Sequence, residues 1–173
     1  MEKYVIKGGR KLSGVLDVES AKNSVLPIIA ASILTSDEVV IEDCPKINDV
    51  LTMIKILRSI GVKCCFQDKN LIINSSGLNG YSVSECLGKE LRASVFMMGA
   101  LLSRVKKARL SYPGGCDIGL RPIDMHLNGV KELGVNVFEI GGEIICSAKK
   151  LVGKEIYLDF CSLYISSTIH YFP

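Results

Sequence analysis

The residues able to do chemistry are few, and the densest group is SYPGGCDIGLRPIDMH, Ser111–His126. It sets Cys116 after Pro113, Gly114 and Gly115 and before Gly119, with Arg121, Asp124 and His126 following. Glycines admit backbone conformations closed to other residues and let a ligand come close. A loop of this composition can hold a side chain over a pocket and close on it. A thiol so placed can serve as nucleophile or proton donor; Arg121 favours its ionised form and Asp117 opposes it. The competing reading is an exposed turn with an incidental cysteine. Arg121 and Asp124 open a helix, where free N–H groups suit a phosphate and an arginine can add a bidentate contact. Simple stabilisation of the helix start is the rival there. His126 is read as structural.

Two further cations stand at comparable places. Lys22, beside Asn23 in the stretch SAKN, lies at the start of the first helix. A positive charge there opposes the helix dipole unless an anion binds it; a solvated surface lysine is the alternative. Arg92 sits one turn into a very apolar helix, where a guanidinium requires an internal carboxylate or a ligand anion. Three cations near helix starts and a glycine-flanked thiol suggest an anion site, although spacing alone does not show that they converge.

The elements that must position these groups follow from composition and pattern. The chain has 173 residues, 48% hydrophobic and 23% charged, enough apolar material for one core. A net charge of +3 is too small to argue for nucleic acid, and the absence of Trp with only 6% aromatic residues removes a base-stacking platform. The seven cysteines, Cys44, Cys64, Cys65, Cys86, Cys116, Cys146 and Cys161, form no C-x-x-C pair, and there are two histidines, so no metal site is expected. MEKYVIKGGRK lacks an apolar signal core, which points to the cytoplasm and reduced thiols. The stretch LRASVFMMGALLSRV is too short to span a bilayer and reads as a buried helix.

Along the chain, KYVIKG and SGVLDVES read as strands. SAKNSVLPIIAASILTS reads as a helix capped by Ser20, with Pro27 kinking it or delaying its start. EVVIEDCP is a strand, INDVLTMIKILRSIG a one-faced helix ended by Gly61, and VKCCFQ with NLIINS a hairpin across DKN. The order then repeats. GKELRASVFMMGALLSRV is a helix, KARLSYPGG a strand, RPIDMHLNGVKELG a helix with Pro122 in its first turn, and VNVFEI with EIICSA a hairpin across two glycines. SIGVKCCFQDKNLIINSS aligns with ELGVNVFEIGGEIICSAK, Gly61 on Gly134, a period of about 73 residues. EIYLDF, Glu155–Phe160, opens what reads as a third copy, and CSLYISSTIHYFP does not continue it. The fold class is α/β (α+β), in repeated helix-strand-helix-hairpin units.

SAKN at Ser20–Asn23, LRAS at Leu91–Ser94, PGGCDIGLRPIDMH at Pro113–His126 and the linking GVKELG together resemble the UDP-N-acetylglucosamine enolpyruvyl transferases, from Met1 to about Asp159. The resemblance implies an inverse α/β barrel fold, here incomplete: 1–19 as strands of a far lobe, 20–159 as two repeat units of the first lobe, 160–173 as an aberrant tail. It implies transfer of an enolpyruvyl group from phosphoenolpyruvate to the 3′-hydroxyl of UDP-N-acetylglucosamine with release of phosphate, the first committed step of peptidoglycan synthesis. Lys22 and Asn23 would hold phosphoenolpyruvate. Arg92, Arg121, Pro122, Ile123, Asp124 and Met125 would line the UDP-sugar site, with Arg121 also near the phosphate. Cys116 would be the acid that protonates the methylene carbon, and the thiol that fosfomycin alkylates. No cofactor, metal, membrane or nucleic acid is implied. Where the family reads like SVGAT, this chain has SLYIS, Ser162–Ser166. The family is also longer, so the 173 residues are expected to be truncated and inactive alone. A UDP-sugar binder without turnover, or an unrelated thiol protein, are the alternatives.

Overall fold

The computed structural model describes residues 3–18, 20–114 and 122–157. The elements run α1 (Lys22–Ala31), β1 (Glu38–Ile41), α2 (Asn48–Ser59), β2 (Lys63–Gln67), β3 (Asn70–Asn74), α3 (Glu85–Glu90), α4 (Phe96–Val105), β4 (Lys107–Ser111), α5 (Asp124–Glu132), β5 (Asn136–Ile140) and β6 (Glu143–Ser147). Short 3-10 turns follow α1 at Ser32–Leu34 and precede α4 at Arg92–Val95.

Two antiparallel sheets result, ordered β1-β3-β2 and β4-β6-β5. Their hairpins share one register: Lys63 pairs with Asn74, and Asn136 with Ser147, so both partners advance by 73 positions. The first strands advance by 69, Glu38 on Asn74 becoming Lys107 on Ser147. The difference falls in the strand-to-helix connection, residues 42–47 in the first unit and 112–123 in the second.

The same turn chemistry ends the middle helix of each unit. Gly61 has φ 92° and Gly134 φ 91°. Val62 N–H donates to the Leu57 carbonyl and Gly61 N–H to that of Arg58; Val135 repeats the first bond on Val130, and Gly134 the second on Lys131. These paired bonds satisfy the last helical carbonyls and need a left-handed residue, the role of glycine after a helix.

Helices fill the interior and the sheets lie over them. Every residue of α4 from Phe96 to Leu102 is buried, as an apolar-all-round helix must be. It contacts α1, β4 and β6, while α1 packs on α2 and α2 on β2. Leu71 and Ile73 of β3 and Ile144 and Cys146 of β6 point inward, and their neighbours along each strand are half-exposed, the two-residue period of a one-sided sheet. Burial raises the thiol pKa values of Cys64 and Cys146 to about 11, and that of Cys44 also upward.

Several expectations are corrected. KYVIKG and SGVLDVES form no strand over their described residues. Tyr4 and Val15 are each 98% exposed, so the apolar alternation has no neighbour to pair with or pack against among the described residues. Ala21, not Ser20, is the residue before α1; Ser20 Oγ donates instead to Asp43. Pro27 lies within α1, which begins at Lys22. The single helix expected over Gly88–Val105 is broken by extended Leu91. Pro122 precedes α5 by two residues. Residues Glu155–Tyr157 form no strand, and the rest of EIYLDF lies outside the described residues.

Candidate functional site

Lys22 is the first residue of α1, which has no acidic residue in its first turn and no side-chain cap. Its ammonium lies 2.5 Å from Asp49 Oδ2, in the first turn of α2. The unfavourable cation at one helix start is thus met by a carboxylate at a neighbouring one, where negative charge is itself favourable. Both side chains keep access to solvent, 51% and 33% exposed. Asp49 was not singled out from sequence. The available signal was an acidic residue in the first turn of a helix adjacent to α1.

Asn23 is exposed on the next position of α1. Proline at 27 has no N–H to give to the Asn23 carbonyl, so this backbone acceptor lacks its usual helical donor. Arg92 opens the 3-10 turn that leads into α4 and is half-buried, while Ala93, Ser94 and Val95 behind it are buried. The SAKN and LRAS stretches therefore sit on α1 and at the entrance of α4, two helices that pack together.

In the second unit, Pro122 and Asp124 are exposed, Ile123 is buried at 2% and Met125 is half-buried. Asp124 is the first residue of α5, where a carboxylate suits the dipole. His126 is buried in α5, in keeping with a structural role. Cys116 and Arg121 lie outside the described residues. Their connection begins at the buried end of β4, Ser111, and finishes at α5.

Two cavities border this region. One of about 380 Å³ lies beside the first connection, between Asp43–Lys46 and the Asp68–Lys69 turn. The other, about 570 Å³, is lined by Met125, Asn128, Lys131 and Lys154–Tyr157. Lys22, Asn23 and Arg92 line neither. Among the described residues no group of three or more His, Cys, Asp and Glu is arranged to hold a metal, and no helix is long and apolar enough to cross a membrane.

Solved structures align with this fold. The enolpyruvyl transferase NikO from Streptomyces tendae matches with TM-score 0.71 and 25% identity, over 83% of this chain and 32% of that one. EPSP synthase from Acinetobacter baumannii matches with TM-score 0.69 and 15% identity, over 90% and 37%. The fold is that of the enolpyruvyl transferases, represented by part of its length.

Residues 6–173 match the EPSP synthase (3-phosphoshikimate 1-carboxyvinyltransferase) family, and the chain belongs to it. Similar curated relatives are UDP-N-acetylglucosamine 1-carboxyvinyltransferase 2 of Caldanaerobacter subterraneus, 44% identical over 98% of this chain, and UDP-N-acetylglucosamine 1-carboxyvinyltransferase 1 of Symbiobacterium thermophilum, 48% identical over 94%. The chain spans 40% and 38% of their respective lengths.

Proposed function

We propose that this chain supplies one wall of a UDP-N-acetylglucosamine enolpyruvyl transferase, acting in the cytoplasm in peptidoglycan synthesis. The observation that carries the reading is the joint presence of SAKN, LRAS and PGGCDIGLRPIDMH in a chain 44–48% identical to relatives so named. The 15% identity to EPSP synthase supports kinship in fold rather than a shared substrate.

In this reading Lys22 and Asn23 take phosphoenolpyruvate, and Arg92, Arg121, Pro122, Ile123, Asp124 and Met125 take the UDP-sugar. Cys116 gives a proton to the methylene carbon of phosphoenolpyruvate as the sugar 3′-hydroxyl adds to the neighbouring carbon and loses its own proton. Loss of phosphate and of a methyl proton then restores the double bond on the transferred group. An acid held against the carbon is what general acid catalysis requires, and fixed cations stabilise the charge that develops. Further groups for the reaction are expected in the part of the relatives' length that this chain does not span. The 173 residues alone are therefore expected to bind rather than to turn over.

The test is exposure to fosfomycin with UDP-N-acetylglucosamine, followed by peptide mass spectrometry. Modification confined to Cys116 is expected; equal modification of all seven thiols would overturn the reading. Calorimetry with the UDP-sugar addresses a binder without catalysis, a reading favoured by the partial span. Heat at sub-millimolar to millimolar ligand supports it, and none removes it.

A further inference from the structure

The geometry points to Gly88 as a positioning node that fixes where the cysteine-bearing connection leaves β4 and ties it to the turn carrying Arg92. This rests on the transferase reading above, because it gives Cys116 and Arg92 a shared task.

Residues 81–83 run beside β4: Arg109 N–H donates to the Tyr81 carbonyl, and Val83 N–H to that of Arg109, both at 2.8 Å. Helix α3 starts two residues later and is thereby held against the end of β4. Three contacts meet on Gly88. Its carbonyl accepts from Ser94 Oγ at 3.3 Å, in the LRAS turn. The same carbonyl accepts from Gly114 N–H at 3.4 Å, at the root of the connection. Its bare Cα faces Ser111, the last residue of β4, so closely that a Cβ on Gly88 would fall 2.5 Å from Ser111 Oγ. That hydroxyl is buried and has no hydrogen-bond partner among the described residues. Gly114 is equally constrained, since a Cβ there would fall 2.1 Å from the Lys89 carbonyl oxygen.

The two glycines thus let α3 lie directly on the strand end and on the segment that leaves it. Cys116 follows Gly114 by two positions, a chain reach of about 7 Å at most, so the position of Gly114 limits where the thiol can lie. Ser94 connects the same carbonyl to the turn that presents Arg92. Packing alone would need no convergence of both segments on one atom.

The experiment follows alkylation of each cysteine by iodoacetamide in the 173-residue chain, over a pH series, by peptide mass spectrometry. Exposed Cys65 is the reference, and buried Cys64 and Cys146 report any loss of fold. Gly88→Ala is expected to change the Cys116 rate by roughly threefold or more, because access and local charge set thiol reactivity, with Cys65 unchanged and the buried thiols protected. Adding Ser111→Ala should restore the wild-type rate by removing the atom the new methyl meets, and Ser111→Ala alone should leave it unchanged. Gly114→Ala should change the rate without rescue by Ser111→Ala, because its obstacle is backbone. Ser94→Ala, which introduces no new atoms, should also change it. A Cys116 rate unmoved in the variants that keep the buried thiols protected would overturn the node, as would a failure of Ser111→Ala to rescue Gly88→Ala. If Gly88→Ala exposes the buried thiols, Ser94→Ala decides. Wild-type Cys116 that reacts no faster than Cys65 counts against the transferase reading instead, and the ratios among variants still judge the node.

Discussion

Lys22 suggests an anion site in sequence because a positive charge at a helix start opposes the dipole unless an anion binds it. Asp49 does so in the folded chain, from α2. An anion arriving at Lys22 must therefore share the ammonium with a carboxylate already 2.5 Å away. Replacing Asp49 by Asn removes the competitor, and calorimetry should show tighter binding of phosphoenolpyruvate by the variant. Weaker binding would mean that the carboxylate orients Lys22 instead of competing for it. The same substitution should cost about 1 kcal/mol or less in urea unfolding, the range for solvent-accessible pairs. Lys22 and Arg92 were legible as candidates because a cation at a helix start is an anomaly in one dimension; Asn23 came only with the SAKN resemblance. Asp49 was not legible, because it belongs to another helix and is ordinary there.

At the scale of the elements, the two helix-ending glycines look interchangeable in sequence and are not in space. Both need a left-handed backbone, which costs a residue with a Cβ about 1–2 kcal/mol. A methyl at Gly134 would meet Lys150 O at 3.3 Å, whereas one at Gly61 would meet Gly77 O at 2.4 Å and Asn79 Oδ1 at 2.6 Å. Gly134→Ala should therefore lower stability by about the left-handed term alone, and Gly61→Ala by clearly more, measured as urea midpoints. Equal losses would show that the 77–80 segment yields readily. Gly61 and Gly134 were readable as helix stops from composition and spacing, and so were both hairpins. The break at Leu91 was not, because no proline marks it and period alone cannot tell one helix from two. The strands expected near the N-terminus are a different case, since they were assigned to a far lobe and residues 3–18 form no strand among the described residues. Alternation supplies a face, and a strand also requires an edge to bond with.

For the whole molecule, the buried thiols tie stability to pH. Cys64 and Cys146 have pKa values of about 11 when folded, against 9.0 for an unburied thiol. The native state therefore holds more protons than the unfolded chain between these values. Their contribution is complete below pH 9.0 and declines as pH rises toward about 11. Urea unfolding between pH 8 and 11 should show stability falling by on the order of 1–2 kcal/mol per thiol. Cys64→Val with Cys146→Val should flatten that part of the curve. An unchanged slope in the double variant would assign the loss to other groups. The repeat itself was legible at this scale because both copies kept one register. The carboxylate that meets Lys22 was not, because it is set by how two helices of one unit come together in space.

The unequal connections carry a consequence for descent. Six residues join β1 to α2 and twelve join β4 to α5, yet both hairpins pair identically. Once a unit has been duplicated, one copy can lengthen such a join without any strand having to find a new neighbour. A reactive side chain carried on such a join places no demand on the sheets. In a repeat built like this, chemistry can vary in the join while the architecture on either side stays fixed.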